Sequence, residues 1–126
     1  WAMNAETKKI LGGGVKVHAN CAIVPAFIGT GLFVNVECEH EVDVDDVRKL
    51  MKQTPGVVVF DKNLDGGYVT LADVQGENDI YVSRLRQDAS VDNGFSFWCV
   101  ADDLRAGVAK NAFEVMKLMM NMAAAN

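Results

Sequence analysis

The spacing of hydrophobic and polar residues changes several times along this chain, and each spacing predicts a different structural element. Where apolar and polar side chains alternate, as they do from Val15 to Val24, successive side chains point to opposite faces of a strand. Where apolar residues recur every three or four positions, as they do near the C-terminus, they form one face of a helix. The predicted strands are 15–24, 32–39, 57–60, 80–87 and 94–101, and the predicted helices are 3–11, 44–53 and 103–122.

The second predicted helix has clear start and stop signals. Asp43 is placed to cap its first turn through the side-chain carboxylate. Pro55 and Gly56 follow its last turn and cannot continue it. The residues expected to face inward from this helix are Val47, Leu50 and Met51.

The order of these elements indicates an α+β fold. A helix precedes two strands, a second helix precedes three more, and a third helix closes the chain. This grouping predicts an antiparallel or mixed sheet with its helices on one face. Because no internal repeat or long linker divides the sequence, residues 1–126 are expected to form a single domain.

Composition narrows the possible partners. The chain has 126 residues, half of them hydrophobic, which is enough apolar material for a core without disulfide or metal support. Its formal charge of −5 argues against nucleic-acid binding. Its apolar runs are too short to cross a membrane, and the first ten residues do not have the charged and apolar regions of a signal peptide. Three cysteines without a CxxC spacing fit a reduced, cytoplasmic protein.

Three motifs carry a resemblance to a known family. They are ETKKIL at positions 6–11, QDASVDNG at positions 87–94 and WCVADDLRAG at positions 98–107. Together they resemble the C-terminal, substrate-binding and dimerisation domain of aspartate-semialdehyde dehydrogenases. The resemblance implies a fold similar to the C-terminal domains of those enzymes and of glyceraldehyde-3-phosphate dehydrogenases. It also implies a homodimer, and it places Glu6 and Lys9 where the family helps to hold substrate and phosphate.

The chain departs from the family at the positions that carry the chemistry. The family's substrate-binding arginine and catalytic histidine correspond to Ile23 and Thr30, and an asparagine near the cofactor corresponds to Asp103. Isoleucine cannot bind a carboxylate in bidentate fashion, and threonine cannot transfer a proton near neutral pH. The family's cofactor-binding fold and its cysteine nucleophile come from preceding residues that this sequence does not contain. The expectation is therefore a chain that binds no cofactor and has no dehydrogenase activity.

The remaining reactive side chains suggest an alternative enzyme. A cysteine and a histidine within hydrogen-bond reach could form a thiolate nucleophile for ester hydrolysis. The candidate residues are His18, Cys21, Cys38 and Cys99. A zinc site made from His18, His40 and two of the cysteines is a weaker possibility, because no C-x₂-C pair is present and only the i, i+2 spacing of Cys38 and His40 favours it.

Two further expectations concern surfaces and origin. The last helix is apolar on nearly all sides around Met116, Met119 and Met122, which favours self-association. The emptied catalytic pocket could also bind a small apolar ligand. Since Trp1 falls inside a segment that resembles a helix, the chain is expected to be a truncated, engineered form of the family's domain.

Overall fold

The computed structural model describes residues 2–124 and confirms the predicted α+β class. The described residues form three helices and a four-stranded mixed sheet. In chain order the elements are α1 (Ala2–Leu11), β1 (Thr30–Glu37), α2 (Val44–Gln53), β2 (Val57–Val59), β3 (Ile80–Asp88), β4 (Gly94–Ala101) and α3 (Val108–Ala124).

The sheet has the strand order β1-β4-β3-β2. β4 pairs antiparallel with both β1 and β3, whereas the short strand β2 runs parallel to β3. Cys99 lies at the centre of this arrangement, opposite Leu32 on β1 and Val82 on β3. β1 is an edge strand, so one of its sides has no hydrogen-bonded neighbour among the described residues.

The core lies where β3 and β4 meet the long connection between β2 and β3. Val74 and Val100 are almost completely buried, and Val69 packs with them. Two of the hydrogen bonds that fix this connection to the sheet involve Val69. The Val69 N–H donates to Ser83 Oγ at 3.1 Å, and Trp98 Nε1 donates to the Val69 carbonyl at 2.8 Å.

Helix α2 begins and ends where the sequence predicts. Asp43 Oδ1 accepts a hydrogen bond from the Asp45 N–H at 2.8 Å, which confirms the predicted cap. The helix packs against β2 and β3, with Val47 and Met51 half-buried. Leu50 was expected to face inward, but 65 % of its surface is exposed. Leu50 therefore remains largely in solvent instead of packing on the sheet.

The predicted strand over residues 15–24 is wrong. The structure has no regular secondary structure from residue 12 to residue 29. Strand hydrogen bonds need a neighbouring strand, and the described residues provide none for this segment. The next strand begins at Thr30 and ends at Glu37, two residues earlier at each end than predicted.

The last helix begins at Val108 rather than at residue 103. The Asp102 side chain accepts the Leu104 N–H at 2.9 Å, and the Asp102 carbonyl accepts the Ala106 N–H at 2.7 Å. These bonds hold residues 103–106 in turns and delay the helix.

Helix cover of the sheet comes mainly from α2. Neither α1 nor α3 buries any of its described residues. Among residues 2–124, no helix is both long enough and apolar enough to span a lipid bilayer.

Candidate functional site

Two of the substituted family positions lie together at the start of β1. Thr30 is paired with Ala101 across the sheet, and Asp103 follows two residues later. The Gly29 N–H donates to Asp103 Oδ1 at 3.1 Å, so the loop before β1 is tied to the turn after β4. Gly29 has φ 108°, a conformation that a residue with a side chain adopts only with strain.

The structure places Ile23 and Thr30, the two positions that the resemblance assigns to the family's arginine and histidine, at the surface. Ile23 lies in the irregular segment before β1 with its side chain fully exposed. Thr30 is also exposed. The segment therefore presents an aliphatic side chain and a hydroxyl at the two positions where the resemblance implies an arginine and a histidine in the family.

Glu6 and Lys9, the substrate and phosphate positions implied by the resemblance, both lie exposed on α1. Residues three positions apart on a helix are neighbours on its surface. Neither side chain forms an ion pair within the described part of the chain. Both are free to contact a partner or a ligand.

The candidate nucleophiles are separated in the fold. His18 and Cys21 are exposed in the irregular segment, Cys38 is half-buried just after β1, and Cys99 is half-buried in β4. No hydrogen bond joins His18 to a cysteine sulfur within residues 2–124. Burial raises the pKa of the Cys99 thiol, and a backbone hydrogen bond from Leu32 offsets this only in part. Cys99 is therefore held as a thiol rather than as a thiolate.

The zinc alternative finds no set of ligands in the described residues. No group of three or more histidine, cysteine, aspartate or glutamate side chains lies close enough to hold a metal ion there. His40 is exposed beyond the end of β1.

A cavity of about 480 Å³ lies beside the irregular segment. The segment forms one wall through Pro25, Ala26 and Phe27, and the connection between β2 and β3 forms the other. Trp98 on β4 lies between them. Sequence reasoning missed Tyr68 and Gln75, which also line the cavity, because the connection has no helical or strand period.

A comparison with known protein families identifies the family to which this sequence and fold belong. The family described as "Semialdehyde dehydrogenase, dimerisation domain" matches residues 1–106, which is most of the chain. The chain belongs to the semialdehyde dehydrogenase dimerisation-domain family. The resemblance found in the three motifs is thereby confirmed.

Individual relatives of this dimerisation domain are named as aspartate-semialdehyde dehydrogenases. An aspartate-semialdehyde dehydrogenase from Rickettsia bellii is 36% identical over 110 residues, which is 87% of this chain and 32% of that protein. The corresponding protein from Aquifex aeolicus is 34% identical over 91% of this chain and 34% of its own length. The chain thus spans about a third of the relatives that it matches.

Solved structures share the fold of this dimerisation domain. The crystal structure of aspartate semialdehyde dehydrogenase II from Vibrio cholerae, complexed with ASA, superimposes with a TM-score of 0.87 and 32% identity. The match covers 94% of this chain and 35% of the Vibrio cholerae chain. A probable aspartate-semialdehyde dehydrogenase from Pseudomonas aeruginosa gives a TM-score of 0.69 at 29% identity, over 76% of this chain and 28% of its own.

Proposed function

We propose that this chain acts as a self-associating domain of the aspartate-semialdehyde dehydrogenase type and has no dehydrogenase activity of its own. The observation that carries the proposal is an excess of exposed surface. The chain exposes 9800 Å², whereas a compact monomer of 13.7 kDa exposes roughly 6600 Å². The difference is several times the ~800 Å² that each partner contributes to an ordinary protein interface.

The half of the sheet formed by β1 and β4 is the proposed interface. No helix packs extensively against either strand in the described structure. Leu32, Val34 and Val36 of β1 share one sheet face, and their partners in register on β4 are Cys99, Phe97 and Phe95. We call these six residues the apolar sheet face.

The apolar sheet face is suited to a second copy of the chain. Leu32 is 38 % exposed, and its neighbours on β1 are only half-buried. Phe95 is already buried, and the other five side chains form an at least partly exposed apolar surface without a charged residue. A closed two-fold dimer would place this face against its own copy and remove it from water.

Charged substitutions on the two faces of β1 test the interface. Leu32→Glu places a carboxylate on the apolar sheet face and should weaken self-association by at least about tenfold, because the dimer would bury an unpaired charge. Asn35→Glu places the same charge on the opposite face of β1 and should leave self-association unchanged. Sedimentation velocity measures both variants, and circular dichroism checks that each is folded. Equal dimerisation of the two variants would rule out this face.

The proposed lack of dehydrogenase activity rests on Ile23 and Thr30 and, more strongly, on the family's nucleophile and cofactor fold, which are not among residues 1–126. The Ile23→Arg, Thr30→His double variant should also give no detectable reduction of a nicotinamide cofactor with aspartate semialdehyde and phosphate, since the family's nucleophile and cofactor fold are not in the sequence tested. The control is an intact family enzyme assayed in parallel. Turnover by the double variant, or by the unmodified chain, would contradict the proposal.

A further inference from the structure

The cavity beside the irregular segment has one wall that is fixed by several hydrogen bonds. The connection between β2 and β3 is attached at Val69 to Ser83, as described above. The Thr70 N–H and hydroxyl both donate to Asp73 Oδ2, at 2.8 and 2.6 Å, and these bonds lower the pKa of Asp73. The Gly76 N–H donates to Asp102 Oδ2 at 2.7 Å. This wall is therefore largely formed before any ligand arrives.

Trp98 lines the cavity as a half-buried side chain whose polar edge is already hydrogen-bonded. Its indole N–H is already used by the Val69 carbonyl at 2.8 Å. The ring of Phe33 packs against it with centroids 4.7 Å apart. Gly31 lies so close under the indole that a Cβ atom there would clash with it. These contacts fix the plane of the indole at the base of the cavity.

The opposite wall is apolar and only loosely held. Phe27 is fully exposed, and Ala26 is tied back by one short bond from its N–H to the Val24 carbonyl at 2.8 Å. A ligand in the cavity would remove Phe27 from water together with the Trp98 face. Burial of this aromatic surface, together with ring–ring contacts to Phe27 and Trp98, would favour an aromatic ligand.

Two polar groups at the cavity can still form hydrogen bonds. The Tyr68 hydroxyl and the Gln75 side-chain amide make no hydrogen bond to any residue that the structure describes. An amide both donates and accepts hydrogen bonds. Gln75 therefore pairs better with a ligand amide than with a group that can only donate or only accept. The cavity is an open cleft of about 480 Å³ with mostly apolar lining and these two exposed polar side chains, and its volume is within the usual range for small-molecule sites.

We propose that this cavity binds small planar aromatic amides, with the ring between Trp98 and Phe27 and the amide paired with Gln75. The nearby loop carries the substituted family positions, but the site does not depend on them. It also does not depend on self-association, which is measured separately. A monomeric chain that binds such a ligand would overturn the proposed function and leave this inference intact.

The test follows the indole N–H of Trp98 by two-dimensional nitrogen–proton NMR, using Trp1→Phe so that one tryptophan remains. The probe is benzamide, which should shift this resonance saturably with a Kd in roughly the millimolar range, as its size allows. Cyclohexanecarboxamide keeps the amide but has no flat ring, so it should bind at least about fivefold more weakly. No saturable shift at Trp98, or equal binding of the two amides, would overturn the proposal.

Variants locate the site. Ala26→Trp fills the cavity from an exposed position and should weaken benzamide binding at least about tenfold, whereas Ala22→Trp, in the same segment but outside the cavity, should change it by less than about twofold. Ala72→Trp blocks the cavity from the other wall and should act like Ala26→Trp. Gln75→Leu should weaken binding by about fivefold through loss of the amide pair. Unchanged binding in either blocked variant, or in Gln75→Leu, would contradict the assignment.

Discussion

The surroundings of Cys99 disfavour the thiolate form that nucleophilic chemistry requires. The residue lies between Leu32 and Val82 in the middle of the sheet, and burial raises the pKa of its thiol. A nucleophilic cysteine needs the opposite, namely a lowered pKa and a base within reach. His18, the base suggested by the sequence, lies exposed in another segment. The raised pKa and the lack of a nearby base among the described residues therefore favour a structural role for Cys99.

The raised pKa of Cys99 predicts how stability changes with pH. The folded state holds the proton above the ordinary thiol pKa of 9.0, while the unfolded state releases it. The contribution of Cys99 is therefore fully present below pH 9 and declines as pH rises through the folded pKa. Urea unfolding between pH 8 and 9.5 should show the free energy of unfolding of the native chain falling relative to that of Cys99→Ala.

The same residue gives a labelling result. A thiol reagent at neutral pH should modify exposed Cys21 at once and Cys99 only slowly, unless the chain is unfolded first. Mass spectrometry of digested peptides distinguishes the three cysteines. Labelling of Cys99 as fast as Cys21 would contradict the structural role and revive the hydrolase hypothesis.

Helix α2 and strand β3 are joined by one carboxylate, that of Asp61. It accepts from Arg48 Nη1 at 2.5 Å and from the Arg84 N–H at 2.7 Å, and Arg48 in turn donates to the Leu85 carbonyl at 3.2 Å. β3 is irregular between Ser83 and Arg86, and Arg84 has φ 55°, which is unusual for a residue with a side chain. The carboxylate therefore stabilises a strained turn in the strand as well as the helix contact.

Removing this carboxylate should destabilise the chain measurably. Asp61→Ala leaves the Arg48 guanidinium with only its longer 3.7 Å ion pair to exposed Asp45 and leaves the Arg84 N–H without its acceptor, at a cost of about 2–3 kcal/mol. Asp65→Ala removes an exposed carboxylate from the same loop and should change the free energy of unfolding by less than about 0.5 kcal/mol. Chemical denaturation compares the two variants. Similar stabilities would show that the Asp61 network contributes little.

Elements with local signals could be predicted from the sequence. The α2 boundaries follow from Asp43 and Pro55, and β4 follows from its apolar run, because these signals lie within the element itself. The segment 15–24 alternates just as well, but a strand also needs a neighbour, and alternation carries no information about neighbours. The delayed start of α3 depends on side-chain bonds from Asp102, which no periodicity reveals.

The candidate site was predictable only in part for the same reason. Motif positions such as Ile23 and Thr30 could be assigned by resemblance, since they are read along the chain. The cavity combines Phe27, Gln75 and Trp98 from three distant parts of the sequence. The tertiary fold brings these three residues together, and no local sequence pattern predicts it.

At the scale of the whole molecule, the main feature is surface that the chain does not cover by itself. Among residues 2–124, no helix packs extensively against the strands of the apolar sheet face, and both terminal helices have all their described residues at least partly exposed. The relatives are about three times longer, so their additional residues are available to cover part of such a surface. The excess of roughly 3200 Å² over a compact monomer exceeds what one ordinary dimer interface hides.

The most direct test of the proposed function is the mass of the unmodified chain in solution. Sedimentation equilibrium over about a hundredfold range of concentration should give a mass that rises from 13.7 kDa toward twice that value, as mass action requires of a reversible dimer. A mass of 13.7 kDa at every concentration would contradict self-association.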